Sequence, residues 1–210
     1  MPMPMPVTNP TSITIDYYLA PQSPWTYLGH ERFMRMAADA GATIRLWPVD
    51  LGGKIFPVSG GLPLGQRAPQ RQAYRLVELA RWRDFLKLPL NIKPKFFPVP
   101  GDDAARLIIA VDQADGTAAA MRLAGAVLKA VWAQERDIAD AATRAELLTE
   151  CGLAAQRAEE AKAPTVQATY ERNTQEAIAA NVFGAPSYVV DSDIFWGQDR
   201  LDFLQRRLSR

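Results

Sequence analysis

Along the first fifty residues, hydrophobic and polar positions change period twice. Ile13, Ile15, Tyr17 and Leu19 alternate with Thr14, Asp16 and Tyr18, which is the two-residue repeat of a strand. Pro21 and Pro24 close that strand and open a helix, where Trp25, Leu28, Phe33, Met36 and Ala37 recur among Glu31, Arg32, Arg35 and Asp39 until Gly41 stops it. Thr43 to Val49 alternates again and is followed by Leu51-Gly52-Gly53. A strand, a helix and a second strand predict a β-α-β unit at the head of an α/β fold.

The middle of the chain has no further alternation. Phe56 to Arg71 is rich in Pro, Gly and polar residues and reads as a long loop, a candidate lid. Helical spacing follows over Ala73 to Leu86, Asp103 to Gln113, Thr117 to Gln134, Arg144 to Cys151 and Pro164 to Ala180, with a Pro-rich break at Leu88 to Pro100. Alternation returns in Pro186 to Asp191 and Ile194 to Trp196, a hairpin with its turn at Ser192-Asp193. Gly197 breaks the hairpin, and an amphipathic helix opens at Gln198. The order predicts a thioredoxin-like α/β domain (residues 12–55 and 181–210) with an inserted all-helical domain (56–180), behind a disordered Met-Pro tail (1–11).

Composition narrows the chemistry. Among 210 residues, 24 are basic and 23 acidic, so nothing marks a nucleic-acid footprint or attraction to an anionic membrane. No run approaches the roughly 20 apolar residues of a membrane span, and a soluble, cytoplasmic protein is expected. Cys151 is the only cysteine and His30 the only histidine, which excludes an intramolecular disulfide, a Cys-x-x-Cys centre and the usual zinc sites; no metal is expected. His30 follows Ser23 by seven residues on the same predicted helix, about two turns away and too far to share a proton with it. We take His30 as structural, on the exposed or half-buried side of that helix, and Cys151 as a packed thiol.

Three stretches remain as carriers of chemistry. Ser23 stands where the first strand ends and the first helix begins, and it serves either as a helix cap or as a hydroxyl beside an anion held at the helix N-terminus. Phe183-Gly184-Ala185-Pro186-Ser187 puts a proline at the head of a strand, either as a plain turn or as a cis bond that leaves backbone groups free for a ligand. In Trp196-Gly197-Gln198-Asp199-Arg200, Asp199 lies near a helix start, as a first-turn carboxylate or a ligand contact.

Together these residues, with Asp16-Tyr17-Tyr18, Ser23-Pro24-Trp25-Thr26-Tyr27-Leu28, the Tyr74…Leu79…Trp82 helix, Lys93-Pro94-Lys95-Phe96-Phe97-Pro98 and Ala105-Arg106, resemble the 2-hydroxychromene-2-carboxylate isomerases and their kappa-class glutathione transferase relatives from residue 13 to 205. The resemblance implies a DsbA-like thioredoxin fold, a glutathione cofactor and, commonly, a homodimer. It places Ser23 against the glutathione sulfur, with Pro24 beside it and Trp25 walling the pocket. Ala185 and Pro186 take the cysteinyl backbone, and Gln198 and Asp199 take the γ-glutamyl end, where a carboxylate suits an ammonium group. The implied chemistry is a glutathione-dependent isomerisation of an aromatic carboxylic acid, with the thiolate as transient nucleophile.

The long loop departs from the family pattern. Ser59 to Gly65 has no Asn before a Pro-Pro pair, and Arg71 stands where the family has a Lys three residues before the helix tyrosine. Arg71 can hold a carboxylate as a planar fork, and Lys54, Lys93 and Lys95 are further cations near the loops. A transferase or peroxidase on the same site, and a non-catalytic ligand-binding member of the fold, remain as alternatives.

Overall fold

A computed structural model describes residues 13–209; the expected tail at 1–11 lies outside them. Strand β1 (Thr14–Leu19) runs into helix α1 (Pro24–Asp39), and β2 (Thr43–Pro48) returns parallel to β1 in register Tyr17↔Leu46. The hairpin β3 (Ser187–Val190) and β4 (Asp193–Trp196) completes a four-stranded sheet in the order β2-β1-β3-β4, with β3 antiparallel to β1. The hairpin turn falls one residue earlier than expected. Asp191 and Ser192 both take left-handed backbone, and Val190 pairs with Asp193 across them.

Between β2 and β3 every regular element among the described residues is helical. A π-helical turn (Leu51–Ile55) leads into α2 (Phe56–Ser59) and a 3-10 turn (Leu64–Gln66), then α3 (Pro69–Leu86), α4 (Asp102–Asp115) and α5 (Thr117–Trp132). After these come α6 (Ala141–Glu150), the single turn α7 (Arg157–Glu160) and α8 (Pro164–Ala179). A 3-10 turn (Gln198–Arg200) and α9 (Leu201–Leu208) end the chain.

The stretch expected as a loop over 56–71 is therefore corrected: it is organised around the Phe56 ring. That ring occupies the space a side chain at Gly61 would need, and the Arg67 guanidinium lies 5.8 Å from its centre. Arg67 Nε also donates to the Leu62 carbonyl at 2.8 Å, closing the segment on itself. Helix α3 starts four residues before the expected Ala73, because Pro69 sits where a helix needs no N–H.

Sheet and helices share the larger of two hydrophobic clusters, the smaller being built on Tyr18, Val49, Ile55, Ala177, Val182 and Val189. Tyr17 and Tyr188, side by side on β1 and β3, stack at 5.2 Å, and Phe33 of α1 closes on both at 4.6 Å. His30 joins the sheet to α5, and here the expectation of an exposed or half-buried imidazole is corrected. It is fully buried, its Nε2 bonds to the Met121 carbonyl at 2.9 Å and its Nδ1 to the Tyr17 hydroxyl at 3.0 Å. A carbonyl only accepts, so Nε2 carries the proton and Tyr17 donates to Nδ1. Gly125 makes room for the ring; a Cβ there would stand 3.2 Å from His30 Cδ2.

Candidate active site

Ser23 caps α1. The turn before it is closed by the Ser23 N–H donating to the Ala20 carbonyl at 3.0 Å, and its side-chain oxygen accepts from the Thr26 N–H at 3.2 Å. Pro24 occupies the first helical position, where its missing N–H costs nothing. The hydroxyl proton points elsewhere, to the Ala185 carbonyl oxygen at 3.4 Å. Capping and the approach to the second predicted stretch thus use different parts of one group.

The Ala185-Pro186 peptide bond is cis, and both residues are buried. The Pro186 carbonyl accepts from the Gly197 N–H at 2.8 Å, which ties the third stretch to the second. Ser187 Oγ braces the same bend by donating to the Gly184 carbonyl at 2.8 Å. The Trp196 indole fills the space beside Gly184 that a Cβ would occupy, so a larger residue does not fit there. Gly197 has φ +99°, and its bare Cα lets the Asp199 carboxylate fold back over it.

The structure separates the two members of the Gln198-Asp199 pair. Asp199 is exposed, with its carboxylate 2.6 Å from Arg200 Nη1. Gln198 is turned inward against Gly29 of α1, and its Oε1 accepts from Arg32 Nη1 at 3.1 Å. Trp25 is half-buried and packs on the main core beside Ser23.

The two cations proposed for a substrate acid stand on separate elements, Arg71 on α3 and Lys54 on the π-helical turn. Arg71 is exposed in the first turn of α3. Lys54 lines a cavity of about 580 Å³ with Asp50, Tyr170 and Arg172, to which Ser23 does not contribute. Cys151 is half-buried at the end of α6, and burial, followed by the charge of Glu150, raises its thiol pKa. No group of three or more His, Cys, Asp or Glu able to hold a metal occurs among the described residues. Nor is any helix among them long and apolar enough to cross a membrane.

Sequence reasoning missed a cluster on the other side of the Ser23 turn. The Trp132 indole N–H donates to the carbonyl of Gln22 at 3.3 Å, Phe97 packs on Trp132 at 4.7 Å, and the Arg75 guanidinium lies over both rings. Arg75 follows Arg71 by one helical turn on α3, which is the signal in the sequence that could have found it.

The geometry can be set beside known proteins. A DSBA-like thioredoxin domain model matches residues 14–209. A 2-hydroxychromene-2-carboxylate isomerase of Sphingobium xenophagum is 30% identical over 198 residues, covering 93% of this chain and 97% of that one. The enzyme of the same name from Pseudomonas putida is 27% identical, covering 93% and 94%. The solved structure of a 2-hydroxychromene-2-carboxylate isomerase superposes with a TM-score of 0.80 at 25% identity, covering 94% of this chain and 95% of that chain. The chain belongs to the DsbA-like thioredoxin-domain family and, within it, to the family of the 2-hydroxychromene-2-carboxylate isomerases.

Proposed function

We propose that this chain is a glutathione-dependent isomerase acting on an aromatic substrate that carries a carboxylate. The isomerase class follows from the family; the cofactor and the way it is used are inferred from the site. The observation that carries the reading is the convergence of Ser23, at the positive end of α1, with the Ala185-Pro186 bend.

The residues present fit glutathione. Ser23 has a hydroxyl proton committed only to a long 3.4 Å bond, so it can turn to a sulfur without breaking the cap. The Ala185 carbonyl and the backbone beside it then become available to a cysteinyl unit. Asp199, exposed two residues after the Gly197 whose N–H bonds the Pro186 carbonyl, offers a carboxylate to an ammonium group. The chain's own thiol is half-buried on α6 and raised in pKa, so the nucleophile is brought in rather than supplied by the protein.

When bound, glutathione supplies a thiolate that adds to an unsaturated carbon and leaves after the substrate has rearranged. The chain's part is to keep that sulfur ionised and in place. The α1 N-terminus lowers the cost of the negative charge, and the Ser23 hydroxyl donates to it. Ser23 and Ala185 are both buried, so little water screens the sulfur, which strengthens both effects.

Calorimetric titration with glutathione, paired with turnover of 2-hydroxychromene-2-carboxylate, tests the proposal. The wild type is expected to bind glutathione and to need it for turnover, and Ser23→Ala to lose most of both. Binding with conjugation of a chloronitrobenzene and no isomerisation would instead favour a transferase. Failure to bind glutathione would overturn the cofactor assignment.

A further inference from the structure

Among the described residues, Arg75 is the buried arginine of the core, and no salt bridge there includes it. It lies on the buried face of α3 with 9% of its surface exposed, and no carboxylate among the described residues pairs with it. Its Nη2 is fully buried and has no hydrogen-bond partner. The rings of Phe97 and Trp132, 5.1 Å and 5.6 Å from the guanidinium carbon, satisfy the π face of a cation but not the N–H donors in its plane.

The position of this unpaired group is not arbitrary. Trp132, against which it lies, holds the Gln22 carbonyl through its indole N–H, and Gln22 directly precedes Ser23. The Gln22 side-chain oxygen is itself buried without a partner, wedged against Gly101. On the other side, Arg71 continues the same face of α3 into solvent, one turn before Arg75. A cationic lane therefore runs from the surface to the back of the turn that carries the nucleophile-holding serine.

Burial is the main reason the Arg75 pKa is pushed down to about 10, with the charge of Arg67 adding to it. The group still carries its charge at neutral pH. A buried charge with neither a counterion nor a full set of hydrogen bonds is a net cost to folding, which a bound anion would remove.

We propose that Arg75 is a carboxylate-binding residue of the ligand site, taking the acid group of the aromatic substrate or the glycyl carboxylate of glutathione. The proposal rests on the reading of Ser23 given above and extends it from the sulfur to the acid. Bidentate pairing with a planar fork would fix the distance and orientation of the reacting unsaturation relative to Ser23.

The test uses the full chain, Arg75→Met and Arg75→Lys. Each is titrated with trans-2-hydroxycinnamate and its methyl ester, and separately with glutathione and γ-glutamylcysteine, which lacks the glycyl acid. Thermal melting of the same samples reads the structural role. If the substrate acid is the partner, wild type prefers the hydroxycinnamate over its ester by about tenfold or more, Arg75→Met loses that preference, and Arg75→Lys keeps part of it. If the glycyl acid is the partner, the same pattern appears between glutathione and γ-glutamylcysteine. Either result supports the proposal, and Arg75→Met should melt no lower than wild type. Unchanged acid preference in both pairs, or a lowered melting temperature with no change in either preference, would overturn it. The hydroxycinnamate arm needs no glutathione, so a failure of the cofactor assignment is visible separately.

Discussion

The Ser23 hydroxyl reaches the Ala185 carbonyl oxygen at 3.4 Å, across 162 residues of chain. One partner caps α1 just after β1 and the other precedes β3. The chain between them, α1, β2 and the inserted helices, therefore returns to within one side chain of its departure point. The bond is long for a hydroxyl donor, and the same oxygen already accepts from Thr26 at 3.2 Å. The group is thus fixed as an acceptor and loosely held as a donor, which is the state a thiolate-binding hydroxyl needs.

Capping and ligand holding at Ser23 separate by substitution. Glycine is nearly as good an N-cap as serine, so Ser23→Gly should cost only a few tenths of a kcal/mol, against about 1 kcal/mol for Ser23→Ala. Both variants lack the hydroxyl and should lose glutathione-dependent turnover alike. Urea denaturation and turnover on the two variants check this, and parallel losses of stability and activity would count against it.

Gly197→Ala should disturb the site from a distance. Its φ of +99° is strained for any L side chain, and the new methyl would collide with the Asp199 carboxylate. The expected cost is roughly 1–2 kcal/mol in urea denaturation, with weakened glutathione binding because Asp199 and the Pro186–Gly197 hydrogen bond must both shift.

Asp199→Asn should raise the glutathione dissociation constant by about tenfold, since a charge-assisted contact becomes a neutral one. Deaminated glutathione, which lacks the ammonium group, should bind wild type and variant equally. A variant that weakens both ligands alike would place Asp199 outside the γ-glutamyl contact.

Acid should destabilise the fold through His30. Burial holds this imidazole below its ordinary value of 6.5, and its hydrogen bonds to Met121 and Tyr17 suit the neutral ring. Below 6.5 the unfolded chain binds a proton that the native state refuses. Its contribution is therefore intact above that pH and is lost as pH falls toward the lowered native value, with a slope of at most about 1.4 kcal/mol per pH unit. Urea midpoints between about pH 7.5 and about pH 5.5 should fall less steeply in His30→Gln, whatever its absolute stability.

Local period made the sheet, α1 and most of the inserted helices legible, because Ile15, Tyr17 and Leu19 or Leu28, Phe33 and Ala37 each mark a single buried face. His30 was misjudged because α1 has a second buried face, against α5, and its polar ring is satisfied there by Tyr17 and Met121, which no helical wheel of α1 contains. The 56–71 segment looked like open loop because its order comes from one ring, Phe56, meeting a glycine and an arginine close by. The turn α7 was too short to leave a period. At the site, Ser23, Ala185, Pro186 and Asp199 stood out by their positions at element ends. Arg75 did not, since an arginine in a helix reads as a solvated face until the rings of Phe97 and Trp132 are seen to cover it.

The central claim is that Ser23 holds an ionised sulfur. Its most direct test is a pH titration of the thiolate absorbance of glutathione bound to wild type and to Ser23→Ala. The account expects the bound thiol to ionise roughly one pH unit or more below free glutathione in the wild type and to return toward the free value in the variant. Equal thiol pKa values in the two complexes would contradict it.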